Sequence, residues 1–412
     1  MFYNTFGEKM KRLIMHIDVN NAFLSWTAIE MLKKGYEIDI REIPAIIGGD
    51  ESKRSGIVLA KSMKAKEFGI KTAQTIYEAK RKCPNLRIYP SDYATYKKYS
   101  NKLYNLLLQY TDKIERFSID ECFLDMTNFL LNDTIEHKAI LISNRIKQEL
   151  GFTVNIGISN NKVLAKMASD FEKPDKIHTL YLNEIQEKMW SLPVSELFML
   201  GRKTVPKLLN MQIKTIGDLA KTDKRLLIKN FGKHGLQMWE YANGIDLSEV
   251  KSVKEKPKVI GNSITLPKNI SDLEKLQEIV LALVENTTYR LRKQKLLANT
   301  VNVQLRTKEF IDKSHQGKLE RATSSTKHIY SKAINLLKEM YINGNEIRLV
   351  GISLSNLIDE NQSQISLFET ENDSKQNKLD RVLDDIKNKY GYNKITRAGK
   401  MEVDGFVKLK DI

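Results

Sequence analysis

Short apolar runs alternate with longer amphipathic stretches through about the first 180 residues of the chain. Residues 13–19 and 153–158 are short, apolar and rich in β-branched side chains, which predicts buried strands. Periodic stretches near residues 20–32, 92–110 and 134–150 predict helices, with Asn20 as the cap of the first. Strands that alternate with helices predict an α/β or α+β catalytic domain in this part of the chain.

The remainder of the chain changes character twice. Residues 183–246 show only short helical patterns separated by glycines, and residues 247–258 are charged, contain a proline and predict a tether. Strand and helix patterns return over 259–357, which predicts a second α/β domain. The tail, 358–412, begins polar and contains a predicted helix near 378–390. The sequence therefore predicts an α+β multidomain protein.

The charge balance indicates a polyanionic partner. Lys and Arg total 67 against 51 acidic residues, which gives a formal net charge of +16. Nucleic acid is the usual partner of so basic a chain. The sequence contains no run of about 18 apolar residues, so no membrane partner is expected. The first residues also lack the apolar core of a signal peptide, and we expect a cytoplasmic protein.

The cysteines and histidines, which are the ligands that soft metals prefer, do not cluster in the sequence. Cys83 and Cys122 lie far apart, and the six histidines show no metal-binding spacing. This pattern excludes a zinc ribbon and a disulfide framework, and each cysteine is expected to be a buried apolar residue. Any demanding chemistry must therefore come from carboxylates.

Asp18, Asp120 and Glu121, called the acidic trio below, are the candidates for that chemistry. Asp18 ends an apolar strand pattern, and Asp120-Glu121 interrupts another at 117–125. Buried carboxylates need cations, and two divalent metals would satisfy them in phosphoryl transfer. Because adjacent strand residues point to opposite faces, Asp120 and Glu121 share a site only if the chain bends there. The alternative is strand-edge acids bonded to a basic neighbour.

Segments 16–23 and 118–125 resemble the two metal-binding motifs of Y-family DNA polymerases, the enzymes that copy past damaged bases. Residues 158–174 resemble the second palm motif of this family, and residues 48–84 resemble its fingers. The resemblance extends from about residue 13 to the tail, and the UmuC-type bacterial branch is favoured. It implies a right-hand polymerase fold with a helix-hairpin-helix thumb and an additional α/β little finger.

The resemblance also implies domain boundaries. These are palm 1–46 and 91–182, fingers 47–90, thumb 183–246, tether 247–258, little finger 259–357 and tail 358–412.

The same resemblance implies roles around the active site. The acidic trio would hold two Mg²⁺ ions, with the Val19 carbonyl as a backbone ligand. Phe23 falls on the steric gate of the family, which excludes a 2′-hydroxyl, although its spacing equally suits a core position on the first helix. The expected nucleotide-binding residues are Asn20, Asn21, Ala22, Phe23, Ser62, Lys66 and Lys173. Lys66 stands where many relatives have arginine, and Met63 where many have a phosphate-contacting tyrosine.

Residues 48–51 also echo the signature of diguanylate cyclases, but that signature requires an aromatic residue where this chain has Ser52. In the polymerase interpretation this is a fingers loop with Lys53 and Arg54 near DNA.

Glycine-containing turns are predicted to approach DNA phosphates at helix N-termini. The remaining DNA-binding candidates are Gly201, Arg202, Lys203, Gly232, Lys233 and Gly235 in the thumb, and Asn302, Gln304 and Arg306 in the little finger. An ordinary helical turn and a solvated sheet face are the alternatives. Met199 occupies a position where relatives often have glycine.

The expected partners are primer-template DNA, dNTPs and the bacterial β sliding clamp, with accessory mutagenesis proteins left open and a monomer expected. Gln364, Ile365, Ser366, Leu367 and Phe368 resemble the clamp-binding peptide of bacterial polymerases. A catalytically silent, clamp-tethered DNA-binding factor remains the alternative function.

Deletion of residues 364–368 should abolish the stimulation of primer extension by the sliding clamp. Distributive synthesis without the clamp should be unchanged, because the deletion does not alter the predicted catalytic residues. Primer extension on singly primed circular DNA, with and without loaded clamp, measures both quantities. Equal losses in the two assays would contradict clamp docking by this peptide.

Overall fold

A computed structural model of the chain describes residues 12–49, 56–130, 133–253, 255–362, 371–391 and 395. The predicted sites at Lys53, Arg54 and 364–368 lie outside these residues. The chain forms two compact units, of which the first holds residues 12–49 and 57–253 and the second holds the residues from 255 onward.

The described part of the first unit contains strands and helices up to Thr179 and helices alone after it. Its strands are β1 Ile14–Val19, β2 Ala45–Gly48, β3 Val58–Lys61, β4 Arg87–Pro90, β5 Ile114–Arg116, β6 Glu121–Asp125, β7 Val154–Ser159 and β8 Ile177–Thr179. Its helices are α1 Ala22–Lys33, α2 Met63–Glu67, α3 Ile76–Lys82, α4 Tyr93–Leu107, α5 Ile135–Arg145, α6 Lys162–Asp170, α7 Ile185–Lys188, α8 Val205–Asn210, α9 Ile216–Lys221, α10 Lys224–Phe231 and α11 Lys233–Ala242. A π-helical turn, Ile146–Leu150, extends α5.

The main sheet of the first unit has the strand order β5-β6-β1-β7-β8. β1 lies at its centre and pairs antiparallel with both β6 and β7. Alternate residues of β1 enter different apolar clusters. Met15 and Ile17 pack in the main core with Trp26 of α1, whereas Ile14 packs with Phe123 and Ala165. The face of β1 that carries Ile14 therefore lies against α6.

Two smaller parts complete the first unit. The sheet β3-β2-β4 encloses its own core with α2 and α3, centred on Ile46, Val58 and Ile76. The segment α7–α11 packs its apolar side chains against the outer face of α6, through residues such as Leu164 and Leu208.

Local details differ from the sequence prediction at two places near the acidic trio. Of the two strand segments predicted to meet at Asp120-Glu121, only the second forms, as β6 from Glu121, because residues 117–120 form the turn between β5 and β6. The predicted capping role of Asn20 is wrong: α1 begins after Asn21, which has φ 48°, and Asn20 Nδ2 donates a hydrogen bond to Thr153 Oγ1 at 3.1 Å.

The second unit is one antiparallel sheet with helices on one face. Its elements are β9 Val259–Ile270, α12 Leu273–Lys293, β10 Leu296–Thr307, β11 Asp312–Thr323, α13 Thr326–Met340, β12 Ile347–Asp359 and α14 Glu371–Tyr390. The strand order is β11-β10-β12-β9, and α12 and α13 contribute the apolar side chains beneath it. α14 is attached through Arg292 of α12, which donates to Asp384 at 2.6 and 2.8 Å.

β11 was not predicted from the sequence, because its residues are polar and lack a clear alternation. It is an edge strand that pairs with β10 alone, and half of its twelve residues are exposed while none is buried. In the part of the chain that the structure describes, no helix has both the length and the apolar character needed to cross a membrane.

Gly157 permits the close packing of α6 on β7. A Cβ at this position would lie 1.9 Å from the carbonyl oxygen of Ala165 and 2.5 Å from the amide nitrogen of Ser169. Both neighbours are backbone atoms of α6, so they cannot move without displacing the helix. The helix in turn carries the charged residues that face β1.

Gly157→Ala should lower the free energy of unfolding by about 3 kcal/mol or more, because overpacking against backbone strains the sheet and the helix together. Urea unfolding followed by tryptophan fluorescence measures this change, since all three tryptophans lie in the first unit. Gly201→Ala is the matched control: a Cβ there meets nothing within 4 Å, and we expect a change within about 0.5 kcal/mol. Similar losses in both variants would contradict the packing role.

Candidate active site

The acidic trio converges at neighbouring strand ends. Asp18, near the end of β1, is the cross-strand partner of Glu121, the first residue of β6. Asp120 lies one residue earlier in the β5–β6 turn, where its carbonyl oxygen accepts a hydrogen bond from the Val19 amide at 3.1 Å. The bend that the sequence required for Asp120 and Glu121 to share a site is therefore this turn.

Asp18 faces α6, since it lies on the same side of β1 as Ile14 and His16. Two lysines meet it there. Lys173 forms an ion pair with Asp18 and a second one with Asp170 at 2.8 Å. Lys166 Nζ lies 3.0 Å from Glu121 Oε1, 3.2 Å from Asp170 Oδ2 and 3.8 Å from Asp18 Oδ2.

Burial and charge shift the titration of this cluster. Burial, assisted by the neighbouring acids, raises the pKa of Asp120 above its ordinary value. Burial opposes ionisation of Glu121, but the facing His16 and Lys166 side chains outweigh it and lower the Glu121 pKa to about 2. Burial would lower the pKa values of Lys166 and Lys173, yet their acidic partners raise both. Glu121 and the two lysines are therefore charged near neutral pH.

The chemistry of these side chains suits hard divalent cations, which prefer carboxylate and carbonyl oxygens. Asp18 is buried and the Glu121 side chain is only 18% exposed, so these carboxylates have a strong need for cations. Within the described residues, however, no group of three or more His, Cys, Asp and Glu side chains is arranged as a ready metal-binding cluster. Lysines face the carboxylates of Asp18 and Glu121 instead.

A cleft of about 350 Å³ opens beside Asp18 and Asp120. All the residues predicted from the sequence to bind a nucleotide line it: Asn20, Asn21, Ala22, Phe23, Ser62, Lys66 and Lys173. The opposite wall comes from β3 and α2, including Lys61 and Met63. Burial and the nearby Lys66 lower the pKa of Lys61. Sequence reasoning missed Lys61, although it precedes the predicted Ser62 and Lys66.

Ser62, which the sequence predicted to bind the nucleotide, instead forms hydrogen bonds within the protein. Its hydroxyl donates to the Ile43 carbonyl at 2.7 Å and accepts from the amides of Ala65 and Ala45 at 3.0 and 3.1 Å. A hydroxyl has one donor and two acceptor sites, so all are used. Ser62 therefore caps α2 and ties it to β2, and we exclude it from the nucleotide ligands.

The Phe23 ring lies at the edge of the cleft on a rigid aromatic support. It stacks on Tyr96 of α4 with ring centroids 4.5 Å apart and an interplanar angle of 16°. Tyr96 is fully buried, and its hydroxyl lies 3.4 Å from Thr27 Oγ1. Phe23 is half-buried, so one side of the ring packs on the core while the residue also lines the cleft.

The predicted thumb residues lie in helical turns. Gly201, Arg202 and Lys203 are exposed in the turn before α8, and Met199 adopts φ 71°, the left-handed region that favours glycine. Gly232, with φ 61°, joins α10 to α11, and Lys233 begins α11. Gly235 has a packing role, because a Cβ there would lie 2.1 Å from the Leu227 carbonyl oxygen.

The predicted little-finger residues lie on β10, on the face directed away from α12 and α13. Asn302 Nδ2 donates to Ser353 Oγ at 3.3 Å. Arg306 forms a bidentate ion pair with Asp312 of β11 at 2.8 and 2.9 Å, and Gln304 also reaches Asp312 at 3.4 Å. This face therefore presents mainly amide and hydroxyl groups.

Family models match both units of the chain. The model of the impB/mucB/samB family matches residues 17–170, and the model of its C-terminal domain matches residues 257–367. The first match contains the acidic trio, Phe23 and Lys166, and the second contains the sheet of the second unit.

Curated relatives match over nearly the whole chain. DNA polymerase IV of Clostridium acetobutylicum is 48% identical over 394 residues, which cover 95% of this chain and 99% of that protein. DNA polymerase IV of Acetivibrio thermocellus is 37% identical over 396 residues, covering 94% and 97%. DNA polymerase IV 1 of Bacillus subtilis is 32% identical over 391 residues, covering 94% and 92%.

A solved structure shares the fold. A Y-family DNA polymerase chimera of Dbh and Dpo4 matches with a TM-score of 0.72 at 24% sequence identity. The match covers 84% of this chain and 99% of that chain. It confirms the α+β, right-hand fold class predicted from the sequence.

Proposed function

The chain belongs to the impB/mucB/samB group of Y-family DNA polymerases, so it is a DNA-directed DNA polymerase of the translesion type, and we propose that the acidic trio carries its chemistry. The observation that supports this assignment is the convergence of Asp18, Asp120 and Glu121 from two strands at the edge of a cleft. A divalent metal requirement follows from family membership.

We propose two Mg²⁺ ions, held by the carboxylates of the acidic trio and the Val19 carbonyl. Bound there, such ions would activate the primer 3′-hydroxyl and neutralise the charge on the triphosphate. The protein contributes the geometry: the β1–β6 register fixes Asp18 against Glu121, and the Val19 amide fixes the Asp120 backbone.

The incoming triphosphate would bind at the start of α1. The first-turn amides of a helix lack intrahelical partners and favour anions, which suits residues 21–23 as phosphate contacts. The Asn20 amide already donates to the Thr153 carbonyl at 3.0 Å, so Asn20 would line the site without an amide contact. Lys66 and Lys173 add positive charge from opposite sides of the cleft, and Lys61 joins them. Each lysine acts as a point charge, where an arginine would offer a bidentate fork.

Phe23 would select the sugar. Its ring lines the cleft and cannot retreat toward the core, because Tyr96 stacks directly behind it. A nucleotide whose ribose rested on this ring would have no room for a 2′-hydroxyl. The same packing explains why the core interpretation of Phe23 and the gate interpretation are compatible.

We propose that DNA is held through its backbone, with the domain boundaries implied by the resemblance. In the thumb the contacts would be Gly201, Arg202, Lys203, Gly232 and Lys233, and in the little finger Asn302, Gln304 and Arg306. Backbone contact suits an enzyme that must accept any sequence, and the net charge of +16 supports it. Lys53, Arg54 and the clamp peptide 364–368 remain proposals from the sequence.

The chain would act as a cytoplasmic monomer with the β sliding clamp as its partner, and accessory mutagenesis proteins remain open. A catalytically silent DNA-binding factor is the competing function. Primer extension with dNTPs and Mg²⁺, on undamaged and lesion-containing templates, distinguishes the two.

Asp120→Ala should reduce primer extension by about a thousandfold or more, because metal-assisted charge stabilisation contributes several kcal/mol to such transition states. Affinity for primer-template DNA, measured by fluorescence anisotropy, should stay within about twofold, since backbone contacts dominate binding. Asp112→Ala removes an exposed acid nearby in sequence and should retain extension. Extension by Asp120→Ala at the control rate would refute the catalytic assignment.

Phe23→Ala should lower the preference for dNTP over rNTP by about a hundredfold, because a missing side chain removes the steric conflict with the 2′-hydroxyl. Single-nucleotide incorporation kinetics with dCTP and CTP opposite template G give the ratio. Met63→Ala is the control, since it widens the opposite wall of the same cleft. An unchanged ratio in Phe23→Ala, or an equal loss in Met63→Ala, would argue against the gate.

A further inference from the structure

Lys166 is the most enclosed cation of the active site. Its side chain is 9% exposed, and it lies on the face of α6 that packs against β1 and β7. A buried ammonium group is costly unless charged partners surround it. Here three carboxylates do so, those of Glu121, Asp170 and Asp18, at 3.0, 3.2 and 3.8 Å.

The position of the Glu121 carboxylate depends on this lysine. His16 also faces Glu121, but its Nδ1 lies 2.8 Å from the Ser169 hydroxyl, which itself donates to the Lys166 carbonyl. His16 Nε2 lies 3.7 Å from Glu121 Oε2 and, within the described residues, has no hydrogen-bond partner. The hydrogen bond to the Glu121 side chain therefore comes from Lys166.

Lys166 and Lys173 contact the carboxylates in different ways. Lys173 is 38% exposed, lines the cleft and pairs with Asp18 from the solvent side, so a triphosphate can draw it away. Lys166 does not line the cleft and contacts both Asp18 and Glu121 from beneath. It is thus placed to stay with the carboxylates when a substrate binds.

We propose that Lys166 is a resident counter-ion that holds Asp18 and Glu121 in place in the metal-free enzyme and competes with divalent cations for their oxygens. The inference rests on the proposed function, because it requires a metal site at the acidic trio. It explains why the carboxylates of Asp18 and Glu121 face lysines and do not form a preorganised metal-binding cluster. It also separates Lys166 from an ordinary structural ion pair, because removing its charge should have two effects of opposite sign.

The first effect is on stability. Without Lys166, Asp18 and Glu121 would be buried with one partner fewer, so Lys166→Gln should lower the Tm of chelator-treated protein by several degrees. Divalent cations should then restore most of that loss, because they neutralise the same carboxylates. A purely structural ion pair would give the same loss of Tm with and without metal.

The second effect is on metal affinity. Removing a positive charge within 4 Å of the ligand oxygens should tighten Mn²⁺ binding, and we expect a Kd lower by about three- to tenfold. Titration of free protein with Mn²⁺, followed by the electron paramagnetic resonance signal of unbound Mn²⁺, measures it without DNA, nucleotide or turnover. Lys166→Met keeps the volume of the stem and should show the same two signs if Lys166→Gln folds poorly.

Lys162→Gln is the matched control. Lys162 lies one turn earlier on α6 and pairs with Glu115 at 2.7 Å, with side chains 14% and 19% exposed. Its loss should lower Tm equally with and without Mn²⁺ and leave Mn²⁺ affinity unchanged. An unchanged or weaker Mn²⁺ affinity in Lys166→Gln, with a metal-independent loss of Tm, would overturn the counter-ion role.

Asp18→Asn separates this inference from the proposed function. If Asp18→Asn binds Mn²⁺ as the wild-type protein does, the metal site at the acidic trio is refuted. If Asp18→Asn loses Mn²⁺ while Lys166→Gln binds it with unchanged affinity, the metal site stands and only the counter-ion inference fails. Tighter binding in Lys166→Gln together with loss in Asp18→Asn supports both.

Discussion

The antiparallel register between β1 and β6 is the constraint on which the proposed active site depends. It places Asp18 opposite Glu121, and the Val19 amide holds Asp120 in the adjoining turn. Side chains alternate along a strand, so a slip of one residue would turn Asp18 into the core that Met15 and Ile17 occupy. The apolar residues of β1 therefore help to fix the positions of the acids, because they disfavour a one-residue slip that would turn Asp18 away from α6.

The negative charge of the acidic trio is balanced by lysines on the surrounding elements. Lys166 contacts Asp18 and Glu121 from below, Lys173 contacts Asp18 from the solvent side, and both lysines also contact Asp170. Lys61 and Lys66 stand across the cleft from the acids. The lysines therefore differ in how deeply they are buried. The deepest one is bound to protein carboxylates, and the shallower ones are accessible to a polyanionic substrate.

The sequence predicted the fold class, and its strand pattern located β1 and β7 to within a residue. Motif resemblance brought Asp18, Asp120 and Glu121 together, which spacing alone could not do. β11 escaped prediction because an edge strand with a solvated face needs no apolar alternation. Lys166 carried no role because its contacts depend on the packing of α6 on β1, although its spacing of four from Asp170 hinted at an ion pair. Ser62 was misassigned because a capping serine and a ligand serine look alike in sequence.

The proposed DNA-binding face of β10 would let the polymerase hold DNA and still move along it. Arg306 is neutralised by Asp312, so this surface offers mostly neutral donors and acceptors such as Asn302 and Ser353. Neutral hydrogen bonds to phosphates are roughly half as strong as charge-assisted ones. Each is therefore easier to break when the duplex advances by one base pair. The long-range attraction comes from the net charge of the whole chain, which acts equally at every register of the duplex. Long-range electrostatic attraction and local hydrogen bonding would therefore come from different parts of the protein. DNA could then stay bound while individual hydrogen bonds break and reform.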